Sequence, residues 1–394
     1  MLRSAEAYSF DLTTAGESVV LAIGAALARL WQRLVRDPDD IARARRAYDA
    51  ALTGAVVTWN RDWRSWADDG LAGAYLSGVG HADAQLNKMS IPRVVGKVSA
   101  DQPMTINLSG MSLPPPSLPD RIKKMFQRYP DHTTFYGVFR RAAYHNLEGT
   151  AVQILRTGQD LYRQAAITAG QATYKEADIF TRRALSQKML DDFASQGVQS
   201  VVYRDGKRVS IDAYAEMVGR TMSHHSAVQA GLNRYEQYGY DLVRVSAHFR
   251  ACPLCVPWEG RILSQGGKDK KYPPLAVAIE AGLFHPNCLH SVDPYFPGIS
   301  PEQQVRLDPA EQQLVDKYGY DEAQRIAYSA QERQREIERN IRYWKRREMV
   351  ALDSQATTKA HQKVRDWQAT QRAHLRENTF LPRKYERESI TRAH

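Results

Sequence analysis

The chain has 394 residues, a formal net charge of +10, 43% hydrophobic residues and 25% charged residues. That length allows two or three structural regions around sizeable cores, and the composition is ordinary for a soluble protein. Three cysteines are too few, and odd in number, for a disulfide framework, which points to a reducing compartment and excludes the small secreted scaffolds. The start, Met1-Leu-Arg-Ser-Ala-Glu, carries an acid before its first apolar run and does not read as a secretory signal. The longest apolar run, Ser18 to Leu30, contains Gly24 and Arg29 and is too short to span a bilayer. It reads as a buried helix, and no membrane contact is expected.

Residues 1–90 read as an N-terminal helical region. Val19, Leu21, Ile23, Leu27, Leu30, Trp31 and Leu34 spread apolar positions around much of a first helix, and Asp37-Pro38-Asp39-Asp40 breaks it. The next helix, near Ile41 to Trp66, carries Tyr48, Leu52, Val56, Trp59, Trp63 and Trp66 at helical spacing, the pattern of a packing face. Residues 91–120 change character. Pro103, the triple Pro114-Pro115-Pro116 and Pro119 make an extended arm or linker without an obvious core. Helical pattern returns over 121–197, with breaks expected near Gly158 or Gly170 and an end at Gly197.

Residues 198–300 mix strand and helix signals. Val198 to Tyr203 and Arg208 to Ile211 flank Asp205-Gly206, a β-hairpin whose glycine supplies the positive φ. Asp212 can cap a helix from Ala213 to about Tyr238, and Tyr240 to Ser246 is strand-like. His224-His225 lies on that helix, but adjacent residues point in different directions and cannot both face one centre, so a surface or capping role is expected. Residues 301–394 read as a C-terminal helical, basic region. Asp308-Pro309 opens a helix, and one helical stretch runs from about Tyr320 to Glu377.

The strongest chemical signal is Cys252-Pro-Leu-Cys255, followed after 29 residues by His285-Pro-Asn-Cys288-Leu-His290. All three cysteines of the chain lie in it. Two close-spaced ligand pairs on tight turns, separated by a loop, are what a tetrahedral zinc site needs. The bland alternative is unrelated thiols and surface histidines. The expected zinc ligands are Cys252, Cys255, His285 and Cys288. His290 competes with His285 for the fourth place, and His248 is a weaker candidate. Four protein ligands leave no position for substrate, which favours a structural metal. Phosphate-cradling glycine loops, the His-Glu-x-x-His motif and the Gly-x-Ser-x-Gly elbow are all missing from the sequence.

Charge is concentrated at the C-terminal end. Ala330 to His394 holds 16 Lys/Arg against 9 Asp/Glu, a net +7. Such a segment favours a polyanion, although Glu336, Glu338 and Glu348 interrupt it. Ile337, Ile341 and Trp344 recur at spacings of four and three, so one helix face can pack on protein.

Several of these runs carry a resemblance. Tyr203-Arg-Asp-Gly-Lys-Arg-Val-Ser-Ile-Asp-Ala-Tyr-Ala-Glu-Met-Val-Gly-Arg-Thr221, His248-Phe-Arg-Ala-Cys-Pro-Leu-Cys-Val-Pro-Trp-Glu-Gly260, Tyr272-Pro-Pro, His285 to His290 and Pro294 to Gly298 resemble tailed-phage minor capsid proteins. So does the helix Ala330 to Arg347. The group is the phage minor capsid protein 2 family, related to the phage Mu F-like head morphogenesis proteins. The resemblance is specific from about Val198 onward and makes 198–300 a Mu F-like α+β domain. Minor capsid protein 2 relatives often carry Arg and His at the positions of Cys252 and Cys255, and Arg at that of Leu289. The Mu F-like group more often has the paired cysteines, and this chain mixes the two.

The expected fold class is therefore α+β, predominantly α-helical, with a small zinc-stapled α+β domain flanked by long helices. The resemblance implies a low-copy structural component of the virion, made in the host cytoplasm and placed in the phage head interior or at the portal vertex; no enzymatic activity is expected, because the metal site reads as closed and no nucleophile–base pair is evident in the sequence. Its implied partners are the portal protein, the major capsid protein or both. For the basic tail an acidic protein surface on the portal or shell is the favoured contact, since Glu336 and Glu338 would be repelled by a phosphate backbone, and sequence-independent contact with packaged DNA is the alternative. The alternative is a zinc-containing nuclease of the His-Asn-His type, but no acidic metal-ligand set accompanies His285 in the sequence.

Overall fold

The computed structural model describes residues 5–89, 117–198, 201–202 and 205–390. Long helices dominate and the described sheets are small, so the fold is α+β and predominantly α-helical. Most of the proline-rich stretch expected over 91–120 lies outside the described residues, as do Tyr203 and Arg204 at the hairpin. The chain divides into two compact units, each drawn from three stretches. Unit 1 takes Met1–Leu12, Trp63–Leu147 and Glu216–Tyr328; unit 2 takes Thr13–Asp62, Glu148–Ala215 and Ser329–His394.

Helix α1 spans Ala5–Arg36 and α2 spans Ile41–Ser65, with the acidic Asp37–Asp40 turn between them. Asp37 makes the break locally: its carboxylate accepts the backbone N–H of Asp39 at 3.1 Å. The helix outruns its apolar core sequence. Ala7–Arg36 is long and apolar enough to cross a bilayer by composition, with mean hydropathy 1.4, but 67% of that window is buried in the fold. Val19, Leu21, Ile23, Leu30 and Leu34 are all buried, as a core helix requires.

In unit 1 a π-helical turn, Trp66–Gly70, joins α2 to α3 (Leu71–Lys88). The wider turn brings the Asp68 carboxylate inward, where Arg140 Nε donates at 2.7 Å and the Tyr144 hydroxyl at 3.2 Å. Helices α4 (Asp120–Met125) and α5 (Thr133–Glu148) follow. The Tyr75 hydroxyl of α3 meets His132 Nδ1 at 3.1 Å and accepts from Asn233 Nδ2 at 2.9 Å. Asn233 belongs to α9 (Ile211–Gln237), which begins earlier than expected. Asp212 therefore sits inside its first turn and does not precede it as a cap.

The remainder of unit 1 is built on a three-stranded antiparallel sheet. The central strand β3, Leu242–Val245, is the stretch whose alternation reads as a strand; β4 is Ile262–Ser264 and β5 is Val292–Pro294. Val243 pairs with Leu263 on one side and Pro294 on the other. Val243, Val245, Leu263 and Val292 pack with Leu232 and Tyr235 of α9 in one apolar cluster, together with Cys255 and Cys288. Helix α10 (Leu275–Glu280) closes its flank, and α11 (Pro309–Tyr318) starts at the expected place. Asp308 caps it in a reciprocal pair with Glu311.

In unit 2, α2 presents Tyr48, Leu52 and Trp59 as the packing face its spacing predicts. Trp59 Nε1 donates to Thr150 Oγ1 at 2.8 Å, and the Tyr48 hydroxyl donates to the Gly158 carbonyl at 3.0 Å. Those acceptors lie on α6, Thr150–Gly170, which breaks at Gly170 and runs straight through Gly158. A Cβ at Gly158 would come within 2.5 Å of Leu52 Cδ1, so this glycine serves close helix approach and not a turn. After the short α7 (Ala172–Glu176), α8 (Ile179–Gln196) ends at Gly197 with φ of 65°. The hairpin forms as β1 (Val201–Val202) against β2 (Arg208–Val209), with φ of 82° at Gly206. The C-terminal helix expected over Tyr320 to Glu377 is two helices, α12 (Tyr320–Met349) and α13 (Ser354–Glu377). The break is a capping event: the Asp353 carboxylate accepts the Ala356 N–H at 2.8 Å.

Candidate metal centre

Two tight turns, both in unit 1, carry the candidate ligands. The Cys252–Cys255 turn is closed by the Cys255 N–H donating to the Cys252 carbonyl at 3.0 Å, and it runs into a short 3-10 turn, Val256–Trp258. The second turn is closed by the Cys288 N–H donating to the His285 carbonyl at 2.9 Å. Asn287 takes φ of 66°, a left-handed conformation that asparagine tolerates better than most residues. Its N–H is held by Thr221 Oγ1 on α9 at 3.2 Å. Local turn chemistry thus points two side chains from each turn at the same space.

The ligand atoms form two overlapping groups that share Cys255: Cys252, Cys255 and His285 in one, Cys255, Cys288 and His290 in the other. Within each group every pair of ligand atoms lies within 4.8 Å. All four residues expected from spacing take part, and so does His290. His248 belongs to neither group. Its Nε2 meets Ser246 Oγ at 3.1 Å, and its ring packs edge-on against His290.

Donor chemistry and spacing fit a thiophilic cation. Cys255 Sγ and Cys288 Sγ are 3.6 Å apart, and Cys288 Sγ lies 3.6 Å from His290 Nδ1. A tetrahedral zinc with Zn–S of about 2.3 Å and Zn–N of about 2.05 Å has S···S and S···N edges of roughly 3.8 and 3.6 Å. Without a cation the two buried sulfurs do not both ionise readily. The hydrogen bond from Cys255 holds the Cys288 thiol low, and the same contact together with burial pushes Cys255 far up. A bound dication reverses that conflict by favouring both thiolates.

The histidine surroundings were not visible from spacing. Burial disfavours the charged form of His290, but its hydrogen bonds to Cys288 and to Glu259 prevail and lift it to about 9. Glu259 Oε1 sits 3.0 Å from His290 Nε2 and accepts the His248 N–H at 2.5 Å, while Oε2 accepts Gln324 Nε2 at 3.0 Å. His224, expected at a surface or cap, instead brings its Nε2 within 2.8 Å of the His290 carbonyl. His225 is buried, and burial lowers it to about 4. Neither histidine joins a ligand group. Both reach the second loop, His224 at the His290 carbonyl and His225 at the backbone of Phe284.

The basic C-terminal segment looks different once its partners are visible. Ile337 and Ile341 are fully buried, as their spacing predicts, and Trp344 is half-buried. Within unit 2, Arg346 Nη1 donates to Asp212 Oδ2 at 2.9 Å, and Arg347 grips Asp191 through both Nε and Nη2. Lys345 Nζ donates to the Glu388 carbonyl at 2.7 Å, and Arg342 to that of Arg387 at 2.5 Å. Glu338 is buried near Arg387, so it is not an outward acid facing a partner. Exposed cations remain at Arg339 and, on α13, at Lys359, Arg365, Arg372 and Arg376.

Comparison with known proteins adds the family context. The family described as phage minor capsid protein 2 matches residues 137–376. A structural protein of Lactococcus phage LL-H is 27% identical over 249 residues, covering 60% of this chain and 62% of that protein. A structural protein of Lactococcus phage mv4 is 31% identical over 129 residues, covering 31% of this chain and 94% of that protein. The chain thus spans under two thirds of the length of the first relative. No solved structure matches it significantly.

Proposed function

Since the chain belongs to the phage minor capsid protein 2 family, we propose that it is a low-copy structural protein of a tailed-phage head, acting in head assembly near the portal. The observation that carries this reading is the family match, which runs through both the Cys/His cluster and α12. A structural role also suits the cluster itself. Cys255 and Cys288 lie inside the apolar core and not in an open cleft. The metal we assign there is zinc, held by thiolates and imidazole, and it supplies a cross-link between two loops. Elemental analysis of the purified protein is expected to give about one zinc per chain. No zinc, with all three thiols freely reactive in the folded protein, would remove the metal from the proposal.

The partner surface we propose is protein, on the portal or the major capsid protein, with the genome as a lesser contact. Arg342, Lys345, Arg346 and Arg347 already hold acceptors of this same chain, and breaking those bonds to reach phosphates carries a cost. The full chain is expected to bind duplex DNA no tighter than about 10 μM at physiological salt, without sequence preference. Submicromolar binding with a log–log salt slope steeper than about −5 would instead place this segment on the genome. Mass spectrometry of purified virions tests the main reading. A few to some tens of copies per particle are expected, with cryo-EM density at the portal vertex. Absence from purified particles would defeat it.

A further inference from the structure

The two histidines of the second turn are not equivalent, and the difference bears on the zinc reading above, on which this inference rests. We infer that His290, and not His285, is the histidine that ligates the metal with Cys255 and Cys288, that Cys252, which groups with Cys255 but not with Cys288 and His290, closes onto the ion as the fourth ligand, and that Glu259 is the positioning residue that aims His290. Edge lengths separate the two histidines first. Cys255–Cys288 and Cys288–His290 Nδ1, both 3.6 Å, match two edges of a tetrahedral zinc–thiolate–imidazole site. Cys252 Sγ to His285 Nε2 is 2.9 Å, well under the roughly 3.6 Å edge that two ligands of one ion require. That contact is a sulfur–imidazole hydrogen bond. In the site it leaves Cys252 as the ligand and His285 as the donor that stabilises its charge.

Support around each ring points the same way. A ligating histidine commonly donates its second nitrogen to a carboxylate, which fixes the tautomer and the ring plane. His290 has this arrangement: Nε2 faces Glu259 Oε1 at 3.0 Å and leaves Nδ1 toward the sulfurs. Glu259 is itself fixed by the His248 N–H and by Gln324 Nε2, so it is a rigid anchor. The His290 backbone is tied to α9 through His224, at 2.8 Å. His285 is half-exposed, and among the described residues its second nitrogen meets only the carbonyl of the adjacent Pro286, at 2.8 Å. A neighbour in the same turn moves with the ring and cannot anchor it.

Cobalt substitution of the full chain, produced in zinc-depleted, cobalt-supplemented medium, tests this through the visible spectrum. Wild type should show the intense d–d bands of tetrahedral cobalt with thiolate-to-metal charge transfer. His290→Cys should keep the tetrahedral bands and raise charge-transfer absorbance by about a third, as three sulfurs become four. His285→Ala should keep the wild-type band positions and charge-transfer intensity and weaken cobalt retention only through the lost hydrogen bond to Cys252, by less than about 10-fold. Glu259→Gln should keep the bands but weaken cobalt retention against a competing chelator by about 10–100-fold. If His285→Cys raises the charge transfer while His290→Cys behaves as wild type, the assignment is reversed and the inference fails. A wild-type chain with no tetrahedral cobalt spectrum would overturn the zinc reading itself, an outcome distinct from a reversed assignment.

Discussion

Cys255→Ser is expected to abolish metal binding and to release the 248–298 region before the rest of the molecule. The Cys255 sulfur is fully buried, it belongs to both ligand groups, and it packs with Val243, Leu263 and Phe284. Serine there removes a thiolate and leaves a hydroxyl in an apolar cluster, which alone costs about 1–3 kcal/mol. Loss of the metal adds to this, because metal binding free energy in such small loops is folding free energy. The combined destabilisation should exceed about 3 kcal/mol. Limited proteolysis should cut first within 248–298, and chelation of the wild-type protein should reproduce that pattern. A variant as resistant as wild type in this region would show that the sheet and α9 hold the loops without help. Cys252→Ser makes a useful companion. Cys252 is only half-buried, so this variant should lose the metal with a smaller packing loss.

Much of this architecture is readable locally. Helix starts and stops carry side-chain signatures: Asp308 with Glu311 opens α11, Gly197 closes α8, and Asp37 bends the chain between α1 and α2. The paired ligand spacing is local too, so Cys252, Cys255, His285 and Cys288 stand out without any knowledge of the fold. What escaped is non-local. β4 and β5 are three residues each, and they are strands only because β3 supplies their partners. Gly158 resembles a helix breaker until the facing Leu52 is seen. Glu259 and His224 have no ligand spacing. His224 reaches a carbonyl 66 residues away, and only the packing of α9 against the loop brings the two together. The basic tail was legible as a total charge but not as a disposition, since its acceptors, Asp191 and Asp212, lie far back along the chain.

A second large effect is expected on α3, where two nearby glycines should respond oppositely to the same substitution. A Cβ at Gly78 would lie 2.0 Å from the carbonyl oxygen of Ala227 on α9, and 2.6 Å from its carbonyl carbon. Backbone atoms cannot turn aside as a flexible side chain can, so α3 and α9 must separate by an ångström or so, or bend. That movement disturbs the Tyr75–Asn233 hydrogen bond between the same two helices. Overpacking of this kind costs about 1–3 kcal/mol and occasionally more, against a helix-propensity gain for alanine of about 1 kcal/mol. Because the obstacle is backbone, the cost should sit at the upper end, and Gly78→Ala should lose about 2 kcal/mol net. At Gly80 a Cβ meets nothing within 4 Å and the site is exposed. Gly80→Ala should therefore gain about 0.5–1 kcal/mol from propensity alone. Urea unfolding followed by circular dichroism reads both values in the full chain. Shifts of the same sign and size would mean that α3 and α9 do not approach this closely in solution. Opposite shifts would make Gly78 the residue that sets the contact between them.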